Sequence, residues 1–137
     1  MNLRETAAAW TPQAQALLRI VVAYQILLHG TAKLFGMPHV AMFDNLQALS
    51  LIWFAGVIEI VFGGLLLVGL CTRISAFLLS GEMAIAYFHS HAPRGNALLP
   101  VLNGGDTAVT WCFVFLFLAA AGAGAWSLDA VWKRPKP

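Results

Sequence analysis

The sequence has little charge. Eight of its 137 residues are Lys or Arg and six are Asp or Glu, so charged residues make up 10% of the chain, whereas a soluble domain usually has about a quarter. The net charge is only +2, and no run of basic residues resembles a nucleic-acid recognition helix. This composition excludes an ordinary soluble domain and gives no basis for binding nucleic acid.

Cysteine is also scarce. The two cysteines, Cys71 and Cys112, do not form a CxxC motif, which is evidence against a thiol-exchange site. In the topology derived below they lie at very different depths, whereas a disulfide requires Cα atoms within about 7 Å. We therefore predict two free thiols. The chain also has no nucleotide-binding loop and no nucleophile elbow.

Apolar residues make up 60% of the chain, and its mean hydropathy is +0.77. Four apolar segments are long enough to cross a hydrocarbon core of about 30 Å, which takes about 20 helical residues. Because a helix satisfies its own backbone hydrogen bonds, which lipid cannot do, we predict an all-α fold: a single-domain integral membrane four-helix bundle over residues 1–137. The predicted helices cover residues 14–35, 50–70, 73–91 and 107–126.

The connections between these segments indicate how the bundle is arranged. The second connection, at residues 71–72, is so short that the helices on either side must form an antiparallel hairpin. In the first connection Val40, Phe43 and Leu46 recur at helical spacing, which predicts a short interfacial helix. In the third, residues 97–102 are apolar but too short to span, and we expect them to dip towards the bundle. Both longer connections could cover the same face.

Lys and Arg are distributed unevenly between the two ends of the predicted spans. Since positive residues accumulate in cytoplasmic segments, we predict that both termini are cytoplasmic. The cytoplasmic side would carry Arg4, Arg73, Lys133, Arg134 and Lys136, with Arg19 close by, and the outer side Lys33 and Arg94.

Several ionisable residues lie deep within the apolar segments. At about 1.5 Å per residue, Glu59 and Glu82 lie close to the midplane, while His29 and His89 lie within two turns of the outer surface, below Lys33. A charged group at the centre of the bilayer costs about 2.5 to 3.5 kcal/mol on insertion scales, so such groups usually face a bundle interior and mark a functional path. We therefore expect a polar chamber in the outer half of the bundle.

Helical periodicity places these residues on shared faces. On the second helix small residues flank Glu59, which would let a neighbouring backbone approach, so we expect Glu59 to point at another helix. Structural roles remain open: Arg19 and Arg73 could extend to the headgroups, and the two glutamates could hold helices in register. The faces comprise Arg19, Ile26, Gly30 and Lys33 on the first helix, Gly56, Glu59 and Gly63 on the second, and Ser75, Glu82 and His89 on the third.

Six short motifs follow one another along the chain: Arg19; His29-Gly30-x-x-Lys33-Leu34; Glu59-x-x-x-Gly63-Gly64; Thr72-Arg73; Asn103-Gly104-Gly105-Asp106; and Gly124-x-x-Ser127-Leu128-Asp129. In this order they resemble the DoxX family. The resemblance implies a small four-helix membrane protein of the bacterial plasma (inner) membrane, crossing it several times. It also implies membrane oxidoreductase chemistry, since relatives include the membrane subunit of a thiosulfate:quinone oxidoreductase.

The chain departs from the family in one motif. The family usually has Asn-x-Gly-Glu before its fourth helix, whereas this chain has Asp106 in place of that Glu. The charge is kept and the side chain is one methylene shorter. Asp suits a helix N-cap well.

We consider a quinone-linked redox subunit first. In this hypothesis Glu82 and Glu59 pass protons, and His29, Lys33 and His89 donate hydrogen bonds to the quinone. A soluble or membrane redox partner would supply the electrons. The further substrate-binding candidates are Arg19, Asn103 and Asp106.

Two alternatives stay open. His29 and His89 lie at similar depth on parallel helices and could hold a b-type haem through both axial positions. The chain could instead be a non-enzymatic carrier, or a scaffold for a redox partner, in contact with membrane lipid and with a second copy of itself. His29, His89 and His91 lack the tight spacing of a metal site, so we predict no metal ligands.

Overall fold

The structure is a computed structural model of the chain, and it describes residues 2–132. These residues form helices and connecting turns, with no strand among them, which confirms the predicted all-α fold. The helices are α1 (Leu3–Phe35), α2 (Leu51–Val68), α3 (Thr72–Ala86), α4 (Pro100–Asn103), α5 (Asp106–Ala121) and α6 (Leu128–Trp132). The predicted segments correspond to α1, α2, α3 and α5.

Helix α1 begins eleven residues before the predicted start. The Asn2 side chain accepts a hydrogen bond from the Glu5 backbone N–H, and the Glu5 carboxylate accepts one from the Asn2 backbone N–H. This capping box stabilises the first turn of a helix. With 33 residues, α1 is about 50 Å long at 1.5 Å per residue. The hydropathy pattern identified only the apolar part of α1, from residue 14 onwards.

Helix α5 ends at Ala121, five residues before the predicted end. Gly122 has φ of +96°, a conformation that favours glycine, and it turns the chain back over α1. Hydrogen bonds with α1 hold this return, among them one from Gln15 Nε2 to the Gly122 carbonyl over 2.6 Å and one from the Ala125 N–H to the Pro12 carbonyl over 2.9 Å. The short helix α6, which we did not predict, follows.

The helices pack in two antiparallel pairs, α1 with α2 and α3 with α5, and the α2–α3 hairpin joins the pairs. Glycines allow α1 and α2 to approach closely. A Cβ atom on Gly30 would lie 2.7 Å from Ile60 Cγ1, and one on Gly63 would lie 2.9 Å from Ile26 Cγ2. This confirms the prediction that small residues on α2 admit a neighbouring helix.

The core is narrow and the outer surface is apolar. Buried side chains such as Ile26, Leu66 and Phe115 fill the centre, while Phe77 and Phe113 are each more than 60% exposed. By length and composition, two helices in the described part of the chain could cross a membrane: α1 and α2. Helix α5 is apolar but shorter.

The two longer connections differ from their predictions. The first contains one 3-10 turn, Ala41–Phe43, where we predicted an interfacial helix. In the third, Leu98, Val101 and Leu102 are exposed, whereas Asn103 and Gly105 are buried, so residues 97–102 do not dip into the bundle. The apolar side chains point outwards because α4 is a single turn anchored by its polar last residue.

Helix α3 continues as a π-helical turn, Tyr87–His91, which keeps the backbone helical to the predicted end at residue 91. Arg4 and Arg73 lie at the starts of the parallel helices α1 and α3, and therefore at the same end of the bundle. Lys33 and Arg94 lie at or beyond the other ends of these helices. The predicted cytoplasmic residues Lys133, Arg134 and Lys136 lie outside the described residues.

Candidate functional site

A cavity of about 700 Å³ lies between α2 and α3, within the range of about 300 to 1,000 Å³ that is typical of ligand sites. Its walls come from the first half of α2 and the second half of α3, away from the turn that joins them. His29 and Lys33 of α1 and Trp111 of α5 also line it. Most of its lining is apolar.

An ion pair lies against this cavity. Lys33 Nζ is 2.6 Å from Glu59 Oε1, and the two side chains are 10% and 1% exposed. The close approach of Gly30 and Gly56 at this level brings the Lys33 side chain to the middle of α2. The Lys33 ammonium also lies 5.7 Å from the centre of the Phe43 ring, a cation–π distance. The predicted contact of Glu59 with another helix is confirmed.

Glu82 faces the same cavity from α3 and is 7% exposed. Its Oε2 and the Oε2 of Glu59 are both buried without a hydrogen-bond partner in residues 2–132. The two carboxyl groups line this cavity from neighbouring helices. Buried polar atoms in proteins nearly always have hydrogen-bond partners. These two oxygens are therefore positions at which a proton, a water molecule or a ligand would supply the missing partner.

Three histidines also line the cavity: His29, His89 and His91. The His29 ring packs edge-on against Trp111, with ring centres 5.0 Å apart. His89 and His91 lie on the π-helical turn, a feature that is frequent at functional sites. Tyr87 stacks on His91 with ring centres 6.4 Å apart, and His91 Nδ1 is buried without a partner among the described residues.

The structure brings five of the eight predicted site residues to one cavity and leaves the other three away from it. The five that line the cavity are His29, Lys33, Glu59, Glu82 and His89. Arg19, Asn103 and Asp106 do not line it.

Arg19 is fully buried at the opposite end of the bundle. Within residues 2–132 its guanidinium donates to backbone carbonyls: Nη1 to Leu66 and Leu67 over 2.7 and 2.6 Å, Nε to Ala123 over 2.9 Å and Nη2 to Trp126 over 2.8 Å. It thus caps the end of α2 and binds the segment that follows α5. This placement is structural, and it also differs from the predicted extension towards the headgroups.

Asn103 and Asp106 organise the third connection. Asn103 is buried. Its side-chain amide donates hydrogen bonds to the Tyr87 hydroxyl over 3.1 Å and to the Asn96 carbonyl over 3.2 Å. Its Oδ1 accepts a hydrogen bond from the Gly105 N–H over 2.9 Å. Asp106 is exposed and is the first residue of α5, whose N-cap is Gly105. It is therefore not the cap itself, but a carboxylate in the first turn is favourable for the helix dipole.

Sequence reasoning missed part of the cavity. Trp111, which we did not predict as a site residue, is buried and lies between Ala108 and Phe115, also buried, at helical spacing on α5. That spacing could have identified the inner face of α5. The Lys33–Glu59 pair gave no such signal, because its members are 26 residues apart on different helices.

The cysteines behave as predicted, and both are free. Cys71 is exposed at the α2–α3 turn, and Cys112 is half-buried on α5. Within residues 2–132 no group of three or more His, Cys, Asp or Glu side chains is arranged to hold a metal ion.

Comparison with known proteins identifies relatives of unknown activity. A family model described as DoxX matches residues 14–92, a range that contains all five cavity residues named above. Two relatives from Haemophilus influenzae are each named only as an uncharacterized protein. One is 47% identical over 123 residues, covering 88% of this chain and 91% of the relative; the other is 33% identical over 79 residues, covering 58% and 51%. No solved structure matches this chain.

Proposed function

This chain belongs to the DoxX family, and we propose that it is a four-helix protein of the bacterial plasma membrane that binds a quinone in the cavity between α2 and α3. The observation that carries the proposal is the meeting of two buried acids, Glu59 and Glu82, with Lys33, His29 and His89 in one largely apolar cavity. The family itself points to a membrane protein.

The surface of the helices supports a bilayer setting. Side chains such as Val21, Phe77 and Phe113 are more than half exposed, and apolar surface of this extent marks a membrane or protein contact. We propose that α3 with its π-helical turn and α5 span the membrane beside α1 and α2. The ends of α1 and α3 that carry Arg4 and Arg73 would then be cytoplasmic.

The mouth of the cavity supports a ligand that arrives through lipid. Phe54 of α2 and Phe77 and Ile85 of α3 all line it, and each is about half exposed or more. A quinone has an apolar ring and tail, which such a mouth would admit from the acyl chains. The polar groups behind the mouth would then meet the quinone oxygens.

The cavity residues can bind a quinone and handle its protons. His29, His89 and Lys33 can donate hydrogen bonds to its oxygens, and the glutamates can hold or release the protons that accompany its reduction or oxidation. Electrons would come from a soluble or membrane redox partner, which we propose assembles with this chain. In this role the chain is the quinone-binding and proton-handling component of a larger oxidoreductase.

A steric block tests the binding site directly. Gly81 lines the cavity, and nothing lies within 4 Å of a Cβ placed on it; Gly64 has the same free space but does not line the cavity. We expect purified wild-type protein and Gly64→Leu to bind a short-chain benzoquinone, and Gly81→Leu to bind it at least about tenfold more weakly. Unchanged binding by Gly81→Leu, or no binding by the wild type, would contradict the proposal.

A second experiment separates the redox proposal from the alternatives. We expect Glu82→Gln and His29→Ala to lower quinone-dependent electron transfer in membranes while the protein stays folded, with His39→Ala, an exposed histidine outside the cavity, as control. Normal turnover in both variants would favour a carrier or scaffold. A Soret band in the absorption spectrum of the purified protein would favour the haem alternative.

A further inference from the structure

The buried end of the cavity presents a hydrogen-bond acceptor that lacks a donor. Glu59 Oε1 accepts from Lys33 Nζ over 2.6 Å, while Glu59 Oε2 is buried and has no partner in the part of the chain that the structure describes. In an ion pair with Lys33, Glu59 is a carboxylate, and a carboxylate accepts hydrogen bonds but cannot donate one. Glu59 therefore needs a donor from elsewhere.

Glu82 also faces this cavity, from the neighbouring helix. Its Oε2 is buried without a partner among residues 2–132, and both carboxyl groups line the same cavity. The ammonium of Lys33 is bound to Glu59, and within the described residues no cation is paired with Glu82. A neutral Glu82 both donates and accepts hydrogen bonds, so the acceptor that lacks a donor is Glu59 Oε2.

The oxidised and reduced forms of a quinone differ in this respect. The carbonyl oxygens of the quinone only accept hydrogen bonds, so they would leave Glu59 Oε2 unpaired. A quinol hydroxyl donates its proton to one acceptor and can accept a hydrogen bond from Lys33 or His29 at the same time. Because an unpaired buried acceptor is costly, the two forms should bind with different affinities.

We propose that the cavity selects the quinol over the quinone, because the Glu59 carboxylate accepts a hydrogen bond from one of its hydroxyl groups. The proposal rests on the quinone-binding function proposed above and adds the redox form that the site prefers. It concerns binding only. The oxidised form would bind through Lys33, Glu82 and the histidines and would leave Glu59 Oε2 unpaired.

The test measures both forms on the same protein. Purified wild-type protein is titrated by calorimetry with a decyl-tailed benzoquinone and, under anaerobic conditions, with the corresponding quinol. We expect the dissociation constant for the quinol to be at least about tenfold lower. Equal affinities, or tighter binding of the quinone, would overturn the inference and leave quinone binding intact. Binding of neither form would overturn both proposals.

An amide substitution tests the assigned residue. Glu59→Gln replaces an acceptor-only oxygen with an NH₂ donor, so we expect the affinity ratio to fall towards or below one. Glu5→Gln, at the exposed start of α1, should keep the wild-type ratio. An unchanged ratio in folded Glu59→Gln protein would overturn the inference, while the comparison of quinol with quinone on the wild type stays independent of this variant.

A competition experiment tests the chemical class of the ligand. A decyl-tailed primary amine also donates hydrogen bonds to carboxylates, but its ammonium group cannot accept one from Lys33 or His29. We therefore expect it to displace the quinol only at an excess of about tenfold or more. Displacement by an equal concentration of amine would overturn the inference in favour of a site for lipophilic cations.

Discussion

Lys33 and Glu59 form a buried ion pair, with Nζ 2.6 Å from Oε1, that connects the last turn of α1 to the middle of α2. The pair lies at the boundary between the packed α1–α2 interface and the cavity. It therefore has two consequences. It contributes to the packing of these helices, and it occupies one oxygen of Glu59 while the other stays available.

Removing one member of this ion pair should lower the free energy of unfolding more than removing both members. Lys33→Met leaves the Glu59 charge buried without compensation, which typically costs about 3 to 5 kcal/mol. The double variant Lys33→Met/Glu59→Gln removes that charge and should recover part of the loss. Thermal unfolding in detergent measures both. Equal losses for the single and double variants would show that the charge of Glu59 is not what Lys33 compensates.

Replacing glycine by alanine in α1 and α2 should change the stability of the protein by an amount that depends on the space around each glycine. Gly30→Ala places a methyl group 2.7 Å from Ile60 Cγ1 and 3.0 Å from the Gly56 carbonyl oxygen, and such overpacking costs about 1 to 3 kcal/mol. Gly64→Ala meets no atom within 4 Å and should be neutral or stabilising by up to about 1 kcal/mol. Urea or thermal unfolding of both variants checks this. A similar loss at both positions would mean that helix approach is not the reason for Gly30.

Arg19 should act on stability and not on ligand binding. Arg19→Met deprives the carbonyls of Leu67, Ala123 and Trp126 of their donor, and we expect a loss of at least about 3 kcal/mol, since each unpaired buried acceptor costs about 1 to 3 kcal/mol. Arg73→Met serves as the comparison. Arg73 is exposed and donates to the carbonyls of Ala119 and Ala120 at the end of α5, so its loss should be smaller, about 1 kcal/mol or less.

Quinone binding by the Arg19 variant distinguishes the structural role from the predicted substrate-binding role. Below its unfolding temperature Arg19→Met should bind the short-chain benzoquinone as the wild type does, because Arg19 does not line the cavity. A loss of affinity of tenfold or more in the folded variant would restore Arg19 to the site.

Cys71 can report the orientation of the chain. It is exposed at the α2–α3 turn, at the same end of the bundle as the start of α1. The Cys112→Ser variant keeps Cys71 as its one cysteine. In this variant a maleimide that cannot cross membranes should therefore label Cys71 in inverted vesicles and not in intact spheroplasts. Asn45→Cys in a Cys71→Ser/Cys112→Ser background should show the reverse pattern, since Asn45 is exposed in the opposite connection. Labelling of Cys71 from outside would reverse the proposed topology.

The sequence predicted best those features that follow from the depth of a residue in the membrane and from the helix face on which it lies. Glu82 and His89 are seven residues apart and were predicted to share a face, and both line the cavity, because the chain stays helical through the π-helical turn that carries His89. Gly56 and Gly63 were recognised as contact positions for the same reason. Apolar length likewise located the middle of each long helix.

Long-range polar contacts could not be predicted in this way. Arg19 is on the polar face of α1, yet its partners are carbonyls of Leu66, Leu67, Ala123 and Trp126, and the position of those carbonyls depends on how α2 and α5 end. The pairing of Lys33 with Glu59 depends on the packing of α1 on α2. A helical wheel assigns a side chain to the interior but does not identify its partner.

Photoaffinity labelling in native membranes tests the central claim most directly. A quinone that carries an azide on its ring would be photolysed in membranes containing the wild-type protein, and the labelled residues identified by mass spectrometry. We predict labels on cavity residues of α2 and α3, such as Ile58 and Leu78, that excess unlabelled quinone suppresses and Gly81→Leu abolishes. Labels confined to outer surfaces such as Val21 and Phe113, unaffected by competitor, would contradict the assignment of this cavity as a quinone site.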